Sequence, residues 1–159
     1  MLMERIRVGL KRIQLTDVRS DKFLLWHRLQ LGELLNTQNE VAIFEGVVRI
    51  LYGIHIQPKH YRRFYNHVKD VLDGLALWLE KEKALKYEPT PEERQAGIDE
   101  IGKKVKEFGT IDAIARRMHI SHDEALRLPY ATVYLMLLND LEPSKFERRL
   151  HKVYSKKQK

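Results

Sequence analysis

The chain has 159 residues, no cysteine, 43% hydrophobic and 32% charged residues, and a formal net charge of +7. That length suits one domain that buries roughly 70% of the surface its unfolded chain would expose, and the composition fits a soluble globular protein with amphipathic helices. Disulfides and thiolate metal sites are excluded by the missing cysteine, and no apolar run is long enough to span a bilayer. The start, Met-Leu-Met-Glu-Arg-Ile-Arg, lacks the uninterrupted apolar segment of a signal peptide, so a cytoplasmic protein is expected. A pI near 9.6 makes nucleic acid or an acidic protein surface the natural partner. The basic residues gather at the two ends, Arg5, Arg7, Lys11 and Arg12 at the start and Lys145, Arg148, Arg149 and Lys152 near the finish. Such ends are most often solvated surface and a frayed tail.

In chain order, residues 5–10 alternate with the period of a half-buried strand, in a run too short to exclude a helix. Phe23-Leu24-Leu25-Trp26 forms an apolar knot, and a short helix is expected over 30–37. Val41, Phe44, Val47, Val48 and Leu51 recur at helical spacing until Gly53 stops them. Pro58 can start the next element, and 59–85 carries the clearest periodicity, through Tyr61, Phe64, Val68, Val71, Leu72, Leu75 and Trp78. This helix is the expected strut of the core. Tyr61, Phe64 and Tyr65 beside Arg62 and Arg63 also suit a platform for stacking bases, but they lie on the packing stripe.

Residues 87–91, Tyr-Glu-Pro-Thr-Pro, make the Pro-rich joint of the chain and a candidate subdomain boundary. Thr90-Pro91-Glu92-Glu93 reads as an N-cap, a first-turn proline and a capping-box glutamate. The helix they start should run to about Phe108, with Ile98, Ile101, Val105 and Phe108 inward, and end at Gly109. Three short helices should follow. Thr110 can cap the first, with Ile111, Ile114, Ala115 and Met118 on one face; Ser121-His122-Asp123-Glu124 is a capping box for the second; Pro129 opens the third. Glu142-Pro143 should restart the chain for a last helix carrying Phe146, Leu150, Val153 and Tyr154, before a flexible basic tail at 155–159.

Catalysis and metal binding find little support. His119, His122, Asp123 and Glu124 are the titratable residues closest in sequence, yet helix capping and the helix dipole account for the two acids. His60 and His67 lie about two helical turns apart, and His119 and His122 straddle a turn with no third ligand. No catalytic residue, cofactor or metal site is expected. Residues 110–128 do resemble a helix-turn-helix, with Arg116, Arg117 and Arg127 as the nucleic-acid contacts. Acids at the start of the would-be recognition helix, and Pro129 after barely two turns, count against it.

Ile114-Ala115, followed by Asp123-Glu124-Ala125-Leu126-Arg127-Leu128-Pro129-Tyr130 and Val133, resembles the C-terminal part of small phage and prophage tail proteins of the tail assembly chaperone type. Leu29-Gln30-Leu31-Gly32 and the later Leu51-Tyr52-Gly53 are similar to phrases of the same proteins. The resemblance covers about half of the chain in two patches, and neither the basic start nor the lysine tail has a counterpart in it. It implies a non-enzymatic role, holding a helix-rich client such as a tape measure protein soluble, and no binding residue carries over from it; a helical protein can cover an amphipathic client helix with an apolar groove of its own. The expectation is an all-α single domain over 1–159, with one long central helix, a C-terminal cluster of short helices and room for a short N-terminal strand. Its function is then phage tail assembly by protein contacts without a membrane partner, and the alternative is a helix-turn-helix nucleic-acid binder.

Overall fold

The structure, a computed structural model, describes residues 5–8 and 11–157, with side chains described for 15–101, 105, 107–151, 153 and 154. Two strands open it, β1 (Arg5–Val8) and β2 (Lys11–Gln14), paired antiparallel with Ile6 opposite Ile13. The alternation at the start thus belongs to a strand; positions 9 and 10 of that run lie outside the described residues, as do 158 and 159 of the expected tail.

The rest is helical. α1 (Leu25–Leu35) and α2 (Glu40–Tyr52) form a hairpin, joined by Asn39, whose side chain accepts hydrogen bonds from the amides of Val41 and Ala42. Gly53 closes α2 in the left-handed region, where a residue without Cβ is unstrained. A 3-10 turn at Pro58–His60 leads into α3 (Tyr61–Glu82), and a second one follows at Lys83–Leu85. Then come α4 (Pro91–Gln95), α5 (Ile98–Met118), α6 (His122–Leu126) and α7 (Tyr130–Lys157).

The core is the meeting of these helices around α3. Phe64, Val68, Val71, Leu75 and Trp78 of α3 are buried, at the spacing that forms one helical face. Against them stand Phe23 and Leu25 at the head of α1, Leu31, the Val47-Val48 pair of α2, Ile114 of α5, Ala125 of α6 and Val133 of α7. The segment before α1 is tied in by polar contacts. The Trp78 indole N–H donates to the Val18 carbonyl at 3.0 Å, and the Thr16 amide donates to the Tyr52 hydroxyl at 2.8 Å.

Two loops distant in sequence pair with each other. Leu24 and Pro129 form an antiparallel bridge, flanked by Leu25 N–H donating to the Leu128 carbonyl at 2.9 Å and Tyr130 N–H donating to the Phe23 carbonyl at 2.7 Å. Proline has no amide proton, and here none is needed, because the donors come from the residues on either side.

The all-α class and the strut role of α3 hold, but several boundaries differ from expectation. α1 begins at Leu25 and not near Gln30, because the bridge to Leu128 and the His27 ring set its first turn. The helix expected from Thr90 to Phe108 is broken at Gly97, which sits left-handed at φ 86°. Gly109 and Thr110 then lie inside α5, so neither ends nor caps a helix, and the segment expected as a short helix is the last part of a 21-residue one. Ile101, Val105 and Phe108, expected inward, are exposed. Pro143 does not restart the chain: α7 runs through it for 28 residues, longer than α3. A proline there loses the amide bond to the Asn139 carbonyl. The helix is held on both sides of that gap, by Arg117 on Asp140 and by Lys145 on the Ala84 carbonyl.

Candidate docking groove

Between α1, α3 and α7 lies an open groove of about 970 Å³, walled by Leu25, Leu29, Leu79, Leu85, Leu137 and Leu141. Its floor is polar. Arg28 Nε donates to Glu82 Oε1 at 2.7 Å and Arg28 Nη2 to Glu82 Oε2 at 2.5 Å, a bidentate pair with both side chains mostly buried. The Tyr130 hydroxyl donates to the same Oε1 at 2.5 Å. Burial, then the Glu82 carboxylate, pushes the Tyr130 phenol well above its ordinary range, so it remains a donor. The hydrogen bond to Glu82 likewise raises Arg28.

Gly32 makes this arrangement fit. A Cβ at position 32 would lie 2.6 Å from Arg28 Nη1, so the missing side chain leaves room for the guanidinium one turn earlier on α1 to lie flat along the helix toward α3. The Leu-x-Leu-Gly phrase therefore has a geometric role: Leu29 walls the groove, Leu31 is buried in the core, and Gly32 makes space for the ion pair.

The far end of the groove is closed by the Pro-rich joint. Tyr87 donates to Glu93 Oε1 at 2.6 Å and accepts from Arg148, which also reaches Glu93 at 3.1 Å and stacks its guanidinium 4.4 Å from the Tyr87 ring centroid. The Tyr87 hydroxyl and the Thr90 amide hold the Glu93 carboxyl below the usual carboxylate range. Lys145 Nζ donates to the Ala84 carbonyl at 2.7 Å. Two residues expected as solvated charge thus fasten α7, Arg148 to the joint and Lys145 to the 3-10 turn before it.

What this groove offers is apolar surface. Glu82 is committed to Arg28 and Tyr130, so what the groove presents beside that pair is its leucine walls. Lys83, Lys86, Glu107 and Asp140 stand among the lining residues with both signs of charge.

The three arginines of the helix-turn-helix expectation sit around a different corner. The expected turn at 118–121 is present: His119 is left-handed at φ 54°, and the Ile120 amide donates back to the Ala115 carbonyl at 3.0 Å, a Schellman-type closure. Ser121 and Glu124 form the expected capping box. Arg116 pairs with Asp112 on its own helix at 2.9 Å, while Arg117 crosses to α7, at 2.5 Å from Asp140 Oδ1. Arg127 ends α6 beside a smaller cavity of about 450 Å³ that also touches Trp26 and Asp123. α6 has five residues, and His122 faces Asp112 at 3.2 Å, so acids are interleaved with the arginines.

The other candidates disperse. Phe64 is fully buried and Tyr61 bonds Glu45, which leaves Tyr65 as the exposed aromatic of the supposed stacking platform. Among the described residues, no group of three His, Asp or Glu side chains is placed to hold a metal ion, and no helix is long and apolar enough to cross a membrane. No known protein family matches the chain, and neither does any curated protein or solved structure.

Proposed function

We propose that this chain is a non-enzymatic phage or prophage tail assembly protein, a chaperone or minor tail component that acts in the cytoplasm by holding an amphipathic helix of a client such as a tape measure protein. The observation that carries the proposal is the leucine-walled groove between α1, α3 and α7, whose polar floor is satisfied from within. An α-helix is about 10 Å across and presents one apolar stripe, the kind of surface an open leucine groove covers. Two of the three phrases that resemble tail assembly chaperones reach this groove: Leu29 and Gly32 line one side and Tyr130 the other, and Leu128 pairs with Leu25.

Nucleic-acid binding by residues 110–128 has less behind it. A five-residue second helix with acids in its first turn offers little to a major groove, and Arg117 is engaged in packing α5 on α7.

The test is a titration of the full chain against labelled helical segments of a phage tape measure protein and against a random DNA duplex. A tape measure segment should bind and lose its affinity in a Leu79→Asp variant, with weak dependence on salt. Duplex binding that persists at physiological salt and disappears in Arg116→Ala/Arg117→Ala would replace this proposal with the nucleic-acid one.

A further inference from the structure

We infer that the C-terminal half of α7 is a second docking surface, one that takes an acidic amphipathic helix of a partner protein. Phe146, Leu150, Val153 and Tyr154 are 58%, 39%, 51% and 58% exposed. They stand at i, i+4, i+7 and i+8, which aligns them along one side of the helix. Over residues 146–157 the sequence sets five basic residues against the single acid Glu147. Lys145 and Arg148 fasten the start of this half of the helix to Ala84, Glu88 and Glu93, so the stripe begins where the helix is tied to the domain.

The charge selects the occupant. A second copy of the chain would bring the same net positive charge against this one, whereas a helix with carboxylates flanking its apolar seam brings the opposite sign. Four apolar residues over little more than two turns form a short ridge on which a partner helix can pack. The inference rests on the reading of the chain as a protein-contact module and uses a surface separate from the leucine groove.

A fluorescein-labelled helical peptide of about three heptads, leucine at the a and d positions and glutamate elsewhere, tests it against the full chain. Controls are the same peptide with lysine for glutamate and vesicles of phosphatidylcholine with phosphatidylserine. The glutamate peptide should bind, and Leu150→Asp and Arg149→Glu should each weaken it on the order of tenfold, while Leu79→Asp in the groove leaves it unchanged. Circular dichroism of each variant should match the parent. Equal binding of the lysine peptide, or no binding of the glutamate peptide, overturns the inference. Loss in Leu79→Asp but not in Leu150→Asp also overturns it, placing the peptide in the groove and leaving the proposed function standing. Vesicle binding that Leu150→Asp abolishes, without peptide binding, assigns the stripe to an anionic bilayer instead.

Discussion

Arg28 and Glu82 are 54 residues apart in sequence and bound by two parallel hydrogen bonds, with side chains only 14% and 20% exposed. Removing one partner leaves the other charge desolvated and unanswered, at a cost of about 3 kcal/mol. Arg28→Ala and Glu82→Ala should each lower the urea midpoint accordingly. An Arg28→Met/Glu82→Met double variant should lose much less than the sum, since it leaves no orphaned charge.

Gly32 should show a reversal of sign. In an ordinary helix interior, glycine to alanine gains about 1 kcal/mol. Here the new methyl would press on Arg28 Nη1, so Gly32→Ala should destabilise the parent and stabilise an Arg28→Ala background. Equal effects in both backgrounds, measured by chemical denaturation, would separate the glycine from the ion pair.

His27 makes stability depend on acid. Its Nδ1 accepts from the Leu24 amide at 3.0 Å, and burial lowers its pKa from the ordinary 6.5, so folding favours the neutral ring. Well above 6.5 neither state binds the proton and this contribution is complete. As pH falls through 6.5 the unfolded chain protonates first, and stability is lost until the folded pKa is reached. Urea midpoints at about pH 7.5 and about pH 5.5 should differ more in the parent than in His27→Gln, which keeps an acceptor for the Leu24 amide and removes the titration.

Tyr52→Phe should cost about 1–2 kcal/mol, because the Thr16 amide loses its acceptor in a half-buried junction. Amide exchange at Thr16 should rise at the same time, while the amides of α7 keep their protection.

Much of the helical layout was legible in the sequence. Gly53, Thr90 and Ser121 mark helix ends as their local chemistry requires, and the stripe of α3 names most of its own buried residues. What stayed hidden was set by partners far along the chain. Gly97 and Gly109 look alike as helix breakers; only Gly97 breaks, while Gly109 sits where the apolar phase from Ile101 to Ala115 continues unbroken. Pro143 looks like a boundary until Arg117 and Lys145 are seen to hold the helix across it. The groove had a local trace in Leu29 and Gly32, but its other walls come from α3 and α7, and no periodicity announces that Arg28 will find Glu82.

The bridge between Leu24 and Pro129 also fixes when the protein can finish folding. A growing chain emerges from the ribosome amino end first, so α1 and α3 are made long before the strand segment that pairs with Phe23 and Leu25. Until Leu128 and Tyr130 arrive, Arg28 and Glu82 lack the phenol that completes their network, and the leucines of α1 and α3 have no opposing wall. Closure waits until residues 128–141 have been made, and any product cut short before that point leaves the ribosome with its groove half built and its apolar side in water.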